Sequence, residues 1–188
     1  AVPIAIAVVF GFCAVAMIGI MVYFSCIDTK TDLGNFERII RFNDIWGTHR
    51  GFMWIRSIWI FGDASFIEKL FGVGPDMFYS AFSPYFDDLS KYGDSSTNAA
   101  HNEYLNYLIT IGITGLLSYL AIVCGTIKNA VKYAKENPML IACVSAVICY
   151  AVQSVVNLYQ PITTPLFFIF IALCEAFVRN AKAEKSAV

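Results

Sequence analysis

The chain has 188 residues, of which 58% are hydrophobic and only 14% are charged. Soluble domains carry about 25% charged residues, so this composition argues against a soluble enzyme, a nucleic-acid-binding protein and a disordered tail. The formal net charge of -1 agrees, because it provides no positive field to attract nucleic acid. The composition therefore predicts an integral membrane protein.

Long segments without charged residues predict where the chain crosses the membrane. Residues 1–27, 104–127 and 137–174 contain no charged side chain, and the last segment is long enough for two helices. Polar residues and prolines between 157 and 165 predict a tight turn between those two helices. Since about 20 apolar residues cross the hydrocarbon core, we expect four membrane-spanning helices. We place them at about 2–26, 103–127, 138–156 and 162–179.

The predicted fold class is all-α: an integral membrane, polytopic helical bundle forming a single membrane domain over residues 1–188. The chain begins with Ala1 inside a predicted helix, so we expect it to be the C-terminal portion of a larger protein. The six cysteines lie mostly in apolar segments and show no CxxC spacing. We interpret them as small buried residues with free thiols, and we predict no metal site.

The distribution of basic residues predicts the orientation in the membrane. The short loop after the second predicted helix contains three lysines, and the C-terminal tail contains three more basic residues. Both segments should therefore be cytoplasmic. It follows that residues 28–102 form an extracytoplasmic loop, which is too long for a simple connection and is expected to be structured and functional.

The extracytoplasmic loop contains a short aromatic segment and a glycine turn. Residues 49–62 are too few to span a membrane but are rich in tryptophan, isoleucine and phenylalanine, which is typical of a helix at the membrane interface. The sequence Gly-Val-Gly-Pro at 72–75 predicts a turn.

His101 is the first candidate for chemistry, because it lies at the outer start of the second predicted helix. Residues at a spacing of three or four continue along one face of that helix as far as Tyr119, and Gly112 and Gly115 would let another helix approach closely. We expect His101 to line an enclosed cavity where a neutral imidazole accepts a proton from a hydroxyl. The alternative is a histidine that anchors the helix among lipid headgroups.

Four arginines could bind an anion. Arg50 and Arg56 could each grip a phosphate or diphosphate through the planar guanidinium, with lipid headgroups as the alternative ligand for Arg56. Arg38 and Arg41 are three residues apart on a predicted short helix and could contribute to the same anionic site. A solvated surface is the alternative for this second pair.

Several motifs in their order and spacing resemble the O-antigen ligase and Wzy polymerase superfamily of bacterial membrane glycosyltransferases. The resemblance extends over about residues 45–125. The motifs are GTHR at 47–50 followed by Trp54, GVGPDMF at 72–78, AHNEYL at 100–105 and GITGLLSYL at 112–120.

The resemblance implies a GT-C-like fold and a location in the bacterial cytoplasmic (inner) membrane, with the active face extracytoplasmic. It implies transfer of a glycan from an undecaprenyl-diphosphate-linked donor to a glycan or glycolipid acceptor, among membrane lipids and without metal or other cofactor. The main alternative is a Wzy-type polymerase, whose acceptor is another lipid-linked glycan. A noncatalytic transporter or sensor domain is the alternative of a different class.

The resemblance also implies roles for individual residues. His101 and Arg50 correspond to catalytic residues: His101 would deprotonate or orient the acceptor hydroxyl, and Arg50 would neutralise the departing diphosphate. The spacing of the residues adds a role for Trp54: it lies four residues after Arg50, so one helical turn could place its indole against the guanidinium and brace it by stacking. A helix starting near Asn98 could add backbone N–H groups toward the anion. The remaining residues expected to bind substrate are Arg56, Arg38, Arg41 and Asn102.

Overall fold

The charge-free segments of the sequence form helices in the computed structural model, which describes residues 2–186 and the side chains of residues 11–186. Within residues 2–186 every regular element is a helix, which confirms the all-helical part of the predicted fold class. Ala1 and residues 187–188, which the predicted domain includes, lie outside the described residues. The chain divides into two units, residues 1–56 and 57–188.

The first unit begins with helix α1 (Val2–Val22), which continues as a π-helical turn at Tyr23–Ile27. A 3-10 turn at Gly34–Phe36 leads into the short helix α2 (Glu37–Ile40). Arg41 follows α2 and ties it to the end of α1, donating from Nε to the Phe24 carbonyl at 3.1 Å.

Helix α3 (Trp46–Asp63) begins with a left-handed turn, and it includes most of the segment predicted as an interfacial helix. Gly47, Thr48 and His49 have φ values of 58°, 60° and 67°, so the right-handed helix starts at Arg50. Gly51 lies against the Asn43 carbonyl, where any Cβ atom would collide with backbone. The glycine therefore allows the start of this helix to pack closely on the preceding segment.

The second unit begins at Ser57 within α3 and continues with three short helices. Ser65 and Glu68 cap the first of these reciprocally, because each side chain hydrogen bonds to the other residue's backbone N–H. Phe78 and Phe82 are buried with their ring centroids 5.4 Å apart, which gives this segment an aromatic core. The helices are α4 (Phe66–Phe71), α5 (Phe78–Phe82) and α6 (Phe86–Ser90), with a 3-10 turn at Ser83–Tyr85.

The predicted helix 103–127 is not continuous. It consists of α7 (Glu103–Thr110) and α8 (Gly112–Tyr133), which are separated at Ile111. The interruption has a clear cause: the N–H groups of Val73 and Gly74 donate to the carbonyls of Ile109 and Thr110 at 2.9 and 3.0 Å. Those carbonyls would otherwise accept the next hydrogen bonds of a continuous helix.

Glycines on both sides make this contact possible. Gly72 and Gly112 have φ values of 77° and 69°, and a Cβ atom on either would collide with the other segment's backbone. The close approach of another helix that the sequence predicted at Gly112 is present, because the backbone that meets this glycine is the C-terminal end of α4 together with Gly72. Gly115 faces the side chain of Ile111, the residue just before its own helix.

Helices α8, α9 (Met139–Gln153) and α10 (Thr163–Ser186) pack together as a bundle. One cluster of its core joins Tyr119 and Val123 of α8 to Val147 of α9 and Phe167 of α10. A second cluster, centred on Leu140, includes two buried cysteines. The predicted turn between the third and fourth segments is present between α9 and α10.

Within residues 11–186, whose side chains the structure describes, α8 is the one helix long and apolar enough to cross a membrane. Two apolar helical segments, Gly11–Ile27 and Met139–Gln153, are shorter. The four-span topology therefore stays a prediction. All six cysteines are free, but the expectation that they are buried is wrong for four of them, which lie on exposed helix surfaces. Cys143 and Cys174 are buried, whereas Cys13, Cys26, Cys124 and Cys149 are exposed.

Candidate functional site

His101 lies in a bend just before α7 rather than on the helix. Its φ of 50° is left-handed, a conformation that non-glycine residues adopt at a cost of about 1–3 kcal/mol. Asn102 is the N-cap of α7: its buried side chain accepts a hydrogen bond from the Leu105 N–H at 3.0 Å. His101 therefore does not continue the helical face that the sequence predicted for it.

Helix α7 begins at the first residue of the predicted 103–127 segment and not near Asn98. A start near Asn98 is wrong, because the preceding residues form a separate local turn in which the Thr97 hydroxyl donates to the Ala99 carbonyl at 2.9 Å. The first helical residue is Glu103. The N–H groups of the first turn therefore follow His101 in the chain, and two of them already have partners: Leu105 donates to the Asn102 side chain and Glu103 to the Ser154 carbonyl.

His101 lines a cavity of about 210 Å³. The cavity has two walls, which we call the first wall (residues 97–101) and the second wall (residues 158–161). This volume is below the roughly 300–1,000 Å³ of pockets that enclose drug-sized ligands, so the cavity suits one ring rather than a whole chain of sugars.

The second wall adds a phenol that the sequence did not single out. Tyr159 donates from its hydroxyl to Asp76 Oδ1 at 3.3 Å, which links the second wall to the turn after the Gly-Val-Gly-Pro segment. Burial and the nearby Asp76 carboxylate raise the pKa of Tyr159 above its ordinary value. The phenol therefore keeps its proton near neutral pH, and the cavity presents an imidazole and a phenol to any ligand.

Arg50 belongs to the other unit, where it follows the left-handed turn at Gly47–His49. Its Nη1 donates to the Gly47 carbonyl at 2.9 Å, which directs the guanidinium back over that turn. Its Nε is buried and has no hydrogen-bond partner within the described part of the chain. A buried donor without a partner is unfavourable in a protein and is expected to find one in a bound ligand or water.

Trp54 lies one turn after Arg50, but its neighbours are other rings. The centroid of Trp54 is 5.1 Å from that of Trp46 and 6.1 Å from that of Phe42. The predicted stacking of Arg50 on Trp54 is absent from the contacts of the described residues. The Trp54 Nε1 is a second buried donor that lacks a partner in this part of the structure.

Two of the other arginines make internal contacts. Arg56 forms a bidentate pair with Asp44, at 2.6 and 2.8 Å, and lies over the Phe52 ring. Arg41 uses all three guanidinium nitrogens, bonding Glu37 and three backbone carbonyls. These contacts hold the segment around α2 together, and a part for Arg56 or Arg41 in substrate binding stays a prediction. Arg38 is exposed on α2.

The candidate residues fall into two groups, one in each unit. Arg50, Trp54 and the other arginines lie within residues 1–56, and His101 and Asn102 lie within residues 57–188. Among the described residues, no group of three or more His, Cys, Asp or Glu side chains could hold a metal ion. Tyr159, Asp76 and the buried Glu103 could not be singled out from the sequence, because each forms a hydrogen bond with a partner that is distant along the chain.

Comparison with known proteins gave one match. A family model described as O-Antigen ligase matches residues 3–120, which include both groups of candidate residues. No curated protein and no solved structure shows a significant match to the chain.

Proposed function

The chain belongs to the O-antigen ligase family, and on that premise we propose that it transfers a glycan from undecaprenyl diphosphate to a sugar hydroxyl. The family is one of bacterial membrane proteins of polysaccharide biosynthesis. We propose further that this chain is a multi-pass protein of the cytoplasmic membrane and acts on the extracytoplasmic side. The observation that carries the proposal is the position of His101 on the wall of a cavity.

The acceptor sugar occupies that cavity, and its reacting hydroxyl donates to the imidazole of His101. As the hydroxyl oxygen attacks the anomeric carbon of the donor, its proton passes to the imidazole. A new glycosidic bond forms while the bond between the anomeric carbon and the diphosphate oxygen breaks. The diphosphate leaves with that electron pair and remains attached to its lipid.

Arg50 neutralises the charge that develops on the departing diphosphate. Support comes from its buried Nε, which lacks a partner among the described residues, and from the planar guanidinium, which suits a diphosphate better than a point charge does. The left-handed residues just before it also support a functional position, because such strain clusters at functional sites.

The proposed topology makes residues 1–188 a single membrane domain with cytoplasmic segments at 128–135 and 179–185. The loop at 28–102 and the turn at 157–161 then lie on the same outer side. Tyr159 of that turn bonds to Asp76 of the loop, as a shared side requires. The donor, a glycan or glycolipid acceptor and the surrounding lipids are the partners of this arrangement.

The proposal is tested by transfer assays with the purified full-length protein, a lipid-diphosphate-linked glycan and an acceptor. His101→Asn is the most informative variant, since asparagine tolerates a left-handed backbone but cannot accept the proton as imidazole does. We expect turnover to fall by about 10²–10⁴-fold with normal protein yield. Near-normal transfer by this variant would eliminate the role of His101 as a base.

The choice of acceptor separates ligase from polymerase. A ligase should use a glycolipid core as the acceptor, whereas a polymerase should elongate a second molecule of the lipid-diphosphate-linked glycan. Absence of product with either acceptor, under conditions in which the donor binds, would contradict the proposed transfer.

A further inference from the structure

Glu103 is a buried acidic residue to which the proposed reaction assigns no role. It is 1% exposed, and both carboxylate oxygens accept hydrogen bonds from neutral hydroxyls. Tyr107 donates to Oε1 at 2.7 Å, and Ser154 donates to Oε2 at 2.8 Å. A carboxylate buried in this way is unfavourable unless its hydrogen bonds are made, so its contacts define a fixed geometry.

The contacts of Glu103 join two segments of the chain that are far apart in sequence. Besides the Ser154 side chain, the Glu103 N–H donates to the Ser154 carbonyl at 2.9 Å. The next residue, Tyr104, donates from its hydroxyl to the Ala151 carbonyl at 2.6 Å. The start of α7 is therefore bonded side by side to the end of α9.

These two segments carry the walls of the His101 cavity. The first wall ends two residues before Glu103, and the second wall begins four residues after Ser154. Because the walls lie only two and four residues along the chain from the bonded pair, the hydrogen bond between Glu103 and Ser154 limits how far the walls can separate. The wall residue nearest to the bond along the chain is His101 itself.

We propose that Glu103 is a positioning residue for glycan transfer, which holds the two walls of the cavity at the separation that places the acceptor hydroxyl against His101. The inference rests on the proposed function for its effect on rate. Loss of the bond lets the walls move, and a displacement of about 1 Å in a reacting group costs on the order of 10²-fold in rate.

The first test compares two substitutions of Glu103. Glutamine can keep both contacts, because its Oε1 accepts from Tyr107 while its Nε2 donates to the Ser154 oxygen. We expect Glu103→Gln to transfer at close to the wild-type rate. Glu103→Ala should lower kcat by about 10²-fold while leaving the KM for the donor unchanged. A folded Glu103→Gln protein without activity would overturn the positioning role.

The second test asks whether Glu103 acts through Ser154. Ser154→Ala should also lower kcat, and the double variant should be no slower than Glu103→Ala alone, because both changes remove the same link. Multiplied losses in the double variant would contradict the shared role. Glu175→Ala is the matched control, since that glutamate is half-exposed and paired with Arg179 on its own helix. It should retain wild-type transfer.

The third test measures the wall separation without any activity. Spin labels at Asn98→Cys and Gln160→Cys, in a variant whose six native cysteines are serine, report the distance between the walls. We expect a narrow distribution with Glu103 or glutamine and a broad one with alanine. An unchanged distribution in Glu103→Ala would overturn the inference whether or not the protein transfers glycan. Broadening in a protein without transfer would support the role of Glu103 in holding the two walls and refute only the proposed function.

Discussion

Replacing Gly72 by alanine tests whether contact with the glycine turn ends α7. At Gly72 the backbone has φ 77° and ψ 178°, a region that is nearly exclusive to glycine and costs other residues about 1–3 kcal/mol. The new Cβ would also collide with the backbone of Thr110 and Ile111, which cannot rotate away. Overpacking of this kind adds about 1–3 kcal/mol. We therefore expect Gly72→Ala to destabilise the protein by about 2–6 kcal/mol in total.

Alanine substitutions at two other glycines separate the conformational cost from the cost of the collision. Gly93 has φ 97° but open space around it, so Gly93→Ala should show only the conformational cost of about 1–3 kcal/mol. Gly62 lies in α3 with open space around it, so Gly62→Ala should be neutral or stabilising. The measurement is the apparent melting temperature by circular dichroism in one detergent. Equal melting temperatures for the Gly72 and Gly93 variants would refute the proposed contact with α7.

Three further predictions concern topology, charge and pH. In a cysteine-free background, Ser90→Cys should react with a membrane-impermeant thiol reagent in intact cells and Asn129→Cys should not; the reverse pattern would invert the topology. Arg50→Lys should impair transfer nearly as much as Arg50→Ala, because lysine lacks the planar fork of the guanidinium. Wild-type transfer by the lysine variant would show that Arg50 contributes only its positive charge. Hydrogen bonds from Ser65 lower the pKa of Glu68 below its ordinary 4.5, so the cap stabilises α4 above that pH and weakens as the pH falls through the lowered pKa. Ser65→Ala should therefore lower the melting temperature more at neutral pH than in acid, and an equal loss in acid would contradict this.

The presence of the long helices could be predicted from the sequence, because charge-free segments of this length are typical of membrane-spanning helices. The boundary at Ile111 could not, since α7 and α8 are both apolar and no proline separates them. The helix ends there because Val73 and Gly74 donate to its last carbonyls. Those donors come from a turn far away in the sequence, and a local pattern carries no information about such a contact.

In the candidate site, too, some residues could be predicted from the sequence and others depend on contacts between distant segments. His101 was identified from its position before an apolar segment, and Arg50 from the motif that contains it. The second wall of the cavity was not identified, because residues 158–161 resemble any polar turn until the fold places them opposite His101. Glu103 was part of a quoted motif, yet its bonds to Tyr107 and Ser154 depend on packing that the sequence alone does not reveal.

Residues with a strained backbone occur in both groups of candidate residues. Within residues 2–186, the non-glycine residues with positive φ are Thr48, His49, Asp76 and His101. Two of them immediately precede Arg50, a third accepts the hydrogen bond from Tyr159, and the fourth is the proposed base. Each costs about 1–3 kcal/mol, and packing elsewhere in the fold must offset that cost. All four lie outside the α8–α10 bundle, so the residues that carry strain are separate from those of the bundle core. Relief of strain in either group should therefore increase the stability of the protein and decrease glycan transfer.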